Sequence, residues 1–144
     1  MREILFRGKR TDTGKWVEGY YYKAKYYRTD TELCDYITMP HPKETQLGSC
    51  HIMVIPETVG QYTGLTDMNG KRIFEGDIVV CRQEINGNFV GYHIEIGYVE
   101  MKHGAFGLHR KQGYYRPFKD WLEDYEYAVI GNIHDNPELM KGGE

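Results

Sequence analysis

Residues 63–80 read TGLTDMNGKRIFEGDIVV, a pattern of two tight turns between short apolar segments. Asn69-Gly70 predicts a two-residue type I′ hairpin, because that turn needs φ > 0 at both central positions and this pair accepts it at low cost. Residues 71–74 then run back antiparallel to the segment that ends near Leu65. Glu75-Gly76-Asp77 turns the chain again and starts a second apolar strand. Two turns so close together predict a small β-corner. Such a corner indicates a fold but no catalytic or binding activity.

The composition favours strands and turns over helices. The 144 residues include 17 glycines and 13 tyrosines, and aromatic residues make up 14% of the chain. Such a bias is typical of β proteins. We therefore expect a mostly β fold with one or two short helical turns. The length fits one domain or two very small β modules and is enough to bury a core; we interpret residues 1–144 as a single domain.

The sequence also indicates where in the cell the protein is expected to lie. No apolar run approaches the length of about 20 residues that crosses a bilayer, and the N-terminus lacks the apolar core of a signal peptide. We expect a cytoplasmic protein with no membrane partner.

Three cysteines, Cys34, Cys50 and Cys81, occur without CxxC spacing. An odd number argues against a disulfide framework and fits the reduced thiols of cytosol. A zinc site could be imagined from Cys34, His41, Cys50 and His51, but structural zinc usually shows close ligand pairs. Buried or loop cysteines are the simpler interpretation, so we predict no metal and no cofactor.

The pattern divides the chain into three regions. Residues 1–22 predict an N-terminal hairpin around the turn Thr11-Asp12-Thr13-Gly14, because bulky residues alternate from Trp16 to Tyr22. In residues 23–51 the periodicity fades, and this variable loop region is either a mobile binding loop or carries short strands. Residues 52–140 predict the core strands and a C-terminal strand.

Finer features are expected within the third region. Proline at a first helical position predicts helical turns at residues 56–59 and after Asn136, with Asn136 as the cap. Residues 119–124 form another candidate helical turn, and residues 125–133 a strong strand. A long strand is also expected, with one face packed against the core. That face carries Val90, Tyr92, Ile94, Ile96 and Tyr98.

Several motifs in the same order resemble the YopX family of bacteriophage and prophage proteins. They are MREILFRGKR (1–10), GKWVEGY (14–20), IPETVGQYTGL (55–65), NGK (69–71), EGDIV (75–79) and VIGNIHDNPEL (129–139). The resemblance implies a phage or prophage origin and an SH3-like small β-barrel built from hairpins, with its core in residues 52–140. The family has no established biochemical activity, so the resemblance carries over no catalytic residues.

Enzymatic chemistry has little support in the residues. The candidates Asp67, Glu75, Asp77 and His134 mostly lie in turn motifs with a structural explanation, since a turn aspartate can bond nearby backbone. The glycines of residues 60–64 do not form a phosphate-binding loop, because the required lysine and Ser/Thr are absent. We expect that the protein is not an enzyme.

Charge is distributed unevenly along the chain. Residues 1–28 contain eight cations and three acids, a net charge of +5, whereas the remainder contains ten cations and eighteen acids, a net charge of −8. Cations attract phosphates and aromatic rings stack on bases. The N-terminal hairpin is therefore a candidate surface for single-stranded nucleic acid, through Arg7, Lys9, Arg10, Lys15, Trp16, Tyr20, Lys23 and Lys25.

A protein-interaction or self-assembling module is the interpretation that the sequence favours. Exposed tyrosine and tryptophan suit interfaces, and opposite charges at the two ends of the chain suit contacts between copies. The expected partner is a host or phage protein, or a second copy in a homo-oligomer. The overall net charge of −3 argues against nucleic acid as the first choice.

Overall fold

A computed structural model describes residues 3–25, 32–39, 50–85, 88–111, 113–118 and 125–141, with side chains described for all of these except residue 50 and residues 83–94. The strands are β1 (Phe6–Lys9), β2 (Trp16–Lys25), β3 (Leu33–Met39), β4 (Cys50–Val54), β5 (Gly60–Thr66), β6 (Arg72–Phe74), β7 (Asp77–Ile85), β8 (Asn88–Lys102), β9 (Ala105–Arg110), β10 (Tyr115–Pro117) and β11 (Tyr125–Asn132). Short 3₁₀ turns cover Pro56–Thr58 and Pro137–Met140. The prediction of a mostly β chain with short helical turns is confirmed.

The chain divides into two compact units, Met1–Tyr62 and Thr63–Glu144. In the first unit the antiparallel strand order is β4-β3-β2-β1-β5. Val17, Ile37 and Val54 form its buried core. The predicted N-terminal hairpin is confirmed, and β2 extends it to Lys25.

The ends of β1 and β4 in the first unit also bond to each other. The Ile55 amide donates to the Lys9 carbonyl at 2.8 Å, and the Thr11 amide donates to the Met53 carbonyl at 3.1 Å. This pairing amounts to a single bridge between Arg10 and Val54. Because one bridge is not a ladder, neither sheet of the described residues closes into a barrel, and the expected SH3-like barrel is not confirmed.

The region predicted as a variable loop contains regular structure. Residues 33–39 form β3, and β4 begins at residue 50. Of the two alternatives for residues 23–51, the described part carries short strands; residues 26–31 and 40–49 lie outside the described residues. The alternating pattern of β3 is short, which is why it is hard to read from the sequence.

In the second unit, β6 lies beside β5, and a five-stranded antiparallel sheet has the order β10-β9-β8-β7-β11. Its buried core contains Ile73, Val79, Cys81, Val99, Leu108, Phe118 and Tyr127. The strong strand predicted at residues 125–133 is confirmed as β11. The helical turn predicted at residues 119–124 lies outside the described residues.

The first turn of the β-corner differs from the predicted type I′ turn. Gly70 has φ of +79°. His103 is the only non-glycine residue with positive φ in the described part of the chain, so the φ of Asn69 is not positive. The Gly70 amide donates to the Asp67 carbonyl, and the Asp67 amide to the Lys71 carbonyl, which makes a three-residue loop. The cause is the Asp67 carboxylate, since its Oδ1 accepts the amides of Asn69 and Lys71 at 2.9 Å each and fixes this turn.

The second turn of the β-corner is confirmed. Gly76 has φ of +91°, a conformation that favours glycine. Asp77 is buried, and its Oδ2 accepts the Phe74 amide at 2.8 Å. The aspartate therefore bonds nearby backbone, as predicted for a structural turn.

The predicted core face of the long strand is wrong in the part where side chains are described. Val99 is 1% exposed and belongs to the core cluster, whereas Ile96 and Tyr98 are only half-buried. Cys81 and Val79 of the same core cluster lie opposite Glu95 and Gly97, so the odd-numbered residues of this part of β8 face the core. The prediction is wrong because a carboxylate and a glycine occupy core-facing positions, whereas the bulky apolar residues Ile96 and Tyr98 lie on the other face. The side chains of Val90, Tyr92 and Ile94 lie outside the described residues.

Both 3₁₀ turns begin at a proline, as predicted. Asn136 does not cap the second turn with its side chain; its Oδ1 accepts the Asn132 amide at 3.2 Å instead. None of the helices in the described part of the chain is long and apolar enough to span a membrane.

Candidate interaction surface

One face of the first unit gathers aromatic side chains from three neighbouring strands. Tyr22 on β2 lies opposite Tyr36 on β3, and Tyr20 lies opposite Thr38, which in turn lies opposite His51 on β4. Side chains two residues apart on a strand share a face. Trp16 therefore joins these residues from the start of β2. We call this set the aromatic face: Trp16, Tyr20, Tyr22, Tyr36 and His51.

The middle of the aromatic face is held together by direct contacts. Tyr22 and Tyr36 stack with ring centroids 5.3 Å apart, and the His51 ring meets Tyr22 edge-on at 5.7 Å. Oη of Tyr22 lies 2.7 Å from Nδ1 of His51, and Oγ1 of Thr38 lies 3.2 Å from the same nitrogen. Contacts of this kind fix ring positions before any partner binds, which lowers the entropy lost on binding.

Among the tyrosine and tryptophan rings of the face, Tyr20 is the most accessible. Its side chain is 62% exposed, and its strand neighbour Thr38 is small enough to leave the ring open to solvent. Large amphipathic rings that stay exposed and ordered are suited to bind protein surfaces or bases.

Two cations from β1 lie against Trp16. Cζ of Arg7 is 4.6 Å from the centroid of the indole ring, and Nζ of Lys9 is 5.7 Å from it. Cations over an indole face are attracted by the ring quadrupole. Arg7 is only 8% exposed, so much of its guanidinium is already enclosed by the protein.

The predicted site residues do not all share this face. Arg7, Lys9, Trp16 and Tyr20 come together. Lys23 and Lys25 occupy odd positions of β2 and, by the two-residue period, lie on the opposite face. Lys15 is exposed in the turn before β2.

Arg10 is paired within its own turn. Its Nε and Nη2 donate to the two carboxylate oxygens of Asp12, both at 2.8 Å. These hydrogen bonds, with the charge of Arg10, lower the pKa of Asp12 to about 2. A guanidinium in a bidentate pair is less available to a phosphate.

The opposite face of β2 carries a second polar contact. Oη of Tyr21 donates to Oδ2 of Asp35 at 2.5 Å. Burial, and then the neighbouring carboxylate, raise the pKa of Tyr21 to about 12. Asp35 is 5% exposed, so this bond satisfies a buried acid and belongs to the packing of the unit.

Sequence reasoning missed Tyr36 and His51 as members of the face. Both lie in the region predicted as a loop, and only the pairing of β3 and β4 with β2 brings them beside Tyr22. The signal that could have found Tyr36 is the alternation Cys34, Tyr36, Thr38 in β3. Tyr26 and Tyr27 lie outside the described residues.

The His, Cys, Asp and Glu side chains of the described part of the chain are dispersed. Among the side chains that the structure describes, no group of three or more His, Cys, Asp or Glu is arranged to hold a metal ion. His41 and the side chain of Cys50, two members of the imagined zinc set, lie outside the described side chains. The aromatic face presents rings and hydroxyls, with the cations Arg7 and Lys9 beside Trp16. These groups are suited to bind another molecule and do not form a catalytic set.

Comparison with known proteins is consistent with the fold described above. The crystal structure of protein EF1440 from Enterococcus faecalis matches with a TM-score of 0.53 and 22% sequence identity, covering 98% of this chain and 100% of that one. At that identity the likeness shows a shared fold. No curated protein matches the chain. The family described as YopX protein matches residues 5–141, nearly the whole length. The chain therefore belongs to the YopX family.

Proposed function

We propose that the protein is a non-enzymatic interaction module that binds another protein through the aromatic face. The observation that carries the proposal is an ordered set of rings on one sheet face with Tyr20 62% exposed at its surface. Tyrosine, tryptophan and arginine are enriched where proteins meet. The partner is a host or phage protein, or a second copy of the chain.

The distribution of charge supports a protein partner over nucleic acid. Of the predicted cations only Arg7 and Lys9 accompany the rings, and Glu18 lies directly opposite Arg7 on β2. Arg10 is engaged by Asp12, and Lys23 and Lys25 belong to the other face. A surface that tracks a phosphate backbone needs several cations along one path. A mixed face with rings at its centre fits a protein interface.

The test is capture of a partner by the purified protein from nuclease-treated lysate of the bacterial host. Tyr20→Ala removes the most exposed tyrosine of the face without disturbing the core. Tyr114→Ala is the matched control, because Tyr114 is 85% exposed and belongs to the other unit. A partner should be retained by wild type and by the control, and lost with Tyr20→Ala.

Self-association is measured separately by sedimentation velocity over a range of concentrations. If the partner is a second copy, wild type and Tyr114→Ala should form the same oligomer and Tyr20→Ala should remain monomeric. Partners or oligomers that survive Tyr20→Ala combined with Tyr36→Ala would contradict the proposal.

Single-strand binding is the second candidate, supported by the contact of Arg7 and Lys9 with Trp16. Its test is fluorescence anisotropy of labelled single- and double-stranded DNA and RNA at low and moderate salt. Binding that falls steeply with salt, is lost with Lys9→Ala plus Tyr20→Ala, and survives Lys23→Ala plus Lys25→Ala would favour this candidate. Absence of binding at low salt would reject it.

The proposal also covers the origin of the protein, its cellular location and its lack of enzymatic activity. We propose a phage or prophage origin, action in the cytoplasm of the bacterial host and the absence of enzymatic activity. Three cysteines without CxxC spacing support the cytoplasm.

A further inference from the structure

We draw no further inference here: the strongest candidate, the half-buried apolar patch of Val80, Ile96 and Tyr98 on the face of the second unit's sheet that lies opposite its core cluster, carries no proposal because nothing in the structure shows what covers it.

Discussion

Oδ2 of Asp67 accepts the amide of Val129 at 3.0 Å, across 62 positions of sequence. The Met68 amide donates to the Tyr127 carbonyl beside it at 2.8 Å. The turn after β5 thus covers the outer edge of β11, the last strand of its sheet. Exposed edges invite pairing with other chains, so covering one with a loop protects the fold.

Asp67→Ala should destabilise the protein strongly. The carboxylate accepts three backbone amides, those of Asn69, Lys71 and Val129, and a hydrogen bond to a charged group contributes about 1.5–3 kcal/mol net of the bonds to water that it replaces. We expect a loss of about 3 kcal/mol in the free energy of unfolding, measured by urea titration. Asp12→Ala is the control, because that exposed acid should leave the midpoint nearly unchanged. Equal effects of the two substitutions would contradict this role of Asp67.

Stability should fall in acid partly through Asp67. Burial, the largest influence, raises the pKa of this carboxyl, but the amides of Val129, Lys71 and Asn69 together outweigh it and lower the pKa below the ordinary 3.8. A depressed pKa in the folded state stabilises above the unfolded value and is lost as pH falls through the folded one. Wild type should therefore lose more stability below pH 4 than Asp67→Asn does. If the free energy of unfolding fell by the same amount below pH 4 in wild type and in Asp67→Asn, Asp67 would make no contribution.

Tyr21 should contribute to stability at alkaline pH. Its pKa is raised from 10.0 to about 12, first by burial and then by Asp35. A raised pKa means that the folded state keeps the phenol proton, so the stabilisation is complete below pH 10 and lost as pH rises through about 12. Tyr21→Phe should have a lower urea midpoint at neutral pH and a shallower decline between pH 10 and 12. The same slope in both proteins would show that other groups account for the decline.

Cys81 should be unreactive in the folded protein. It is 0% exposed, and burial, followed by the charge of Glu95, raises the pKa of its thiol to about 12. Since the thiolate is the reactive form, iodoacetamide should modify the half-buried Cys34 in native protein and reach Cys81 only after unfolding in urea. Peptide mapping by mass spectrometry distinguishes the two sites. Rapid modification of Cys81 under native conditions would contradict its buried position.

Local patterns predicted those elements whose cause lies within a few residues. The N-terminal hairpin and the Glu75-Gly76-Asp77 turn follow from alternation and from an aspartate that bonds nearby backbone. The Asn69-Gly70 turn was wrong in type because Asp67, two residues earlier, selects a three-residue loop. The face of β8 was wrong because Glu95 and Gly97 occupy core-facing positions, which residue type alone does not indicate.

The candidate surface was predicted only in part for a related reason. Trp16 and Tyr20 were found because they are close in sequence to the cations of the hairpin. Tyr36 and His51 were missed because strand pairing alone brings them beside Tyr22. Lys23 and Lys25 were assigned to the same surface by proximity in sequence, although the two-residue period of β2 separates them from the rings.

The sequence by itself determined the family, the β class and the positions of the turns in the β-corner, because each depends on motifs or on contacts between residues near one another in the chain. Only the tertiary structure decided which rings share a face and which acid covers the edge of β11. These depend on register between strands that are distant in sequence. Register is set by packing and long-range hydrogen bonds, which no short stretch of residues encodes alone.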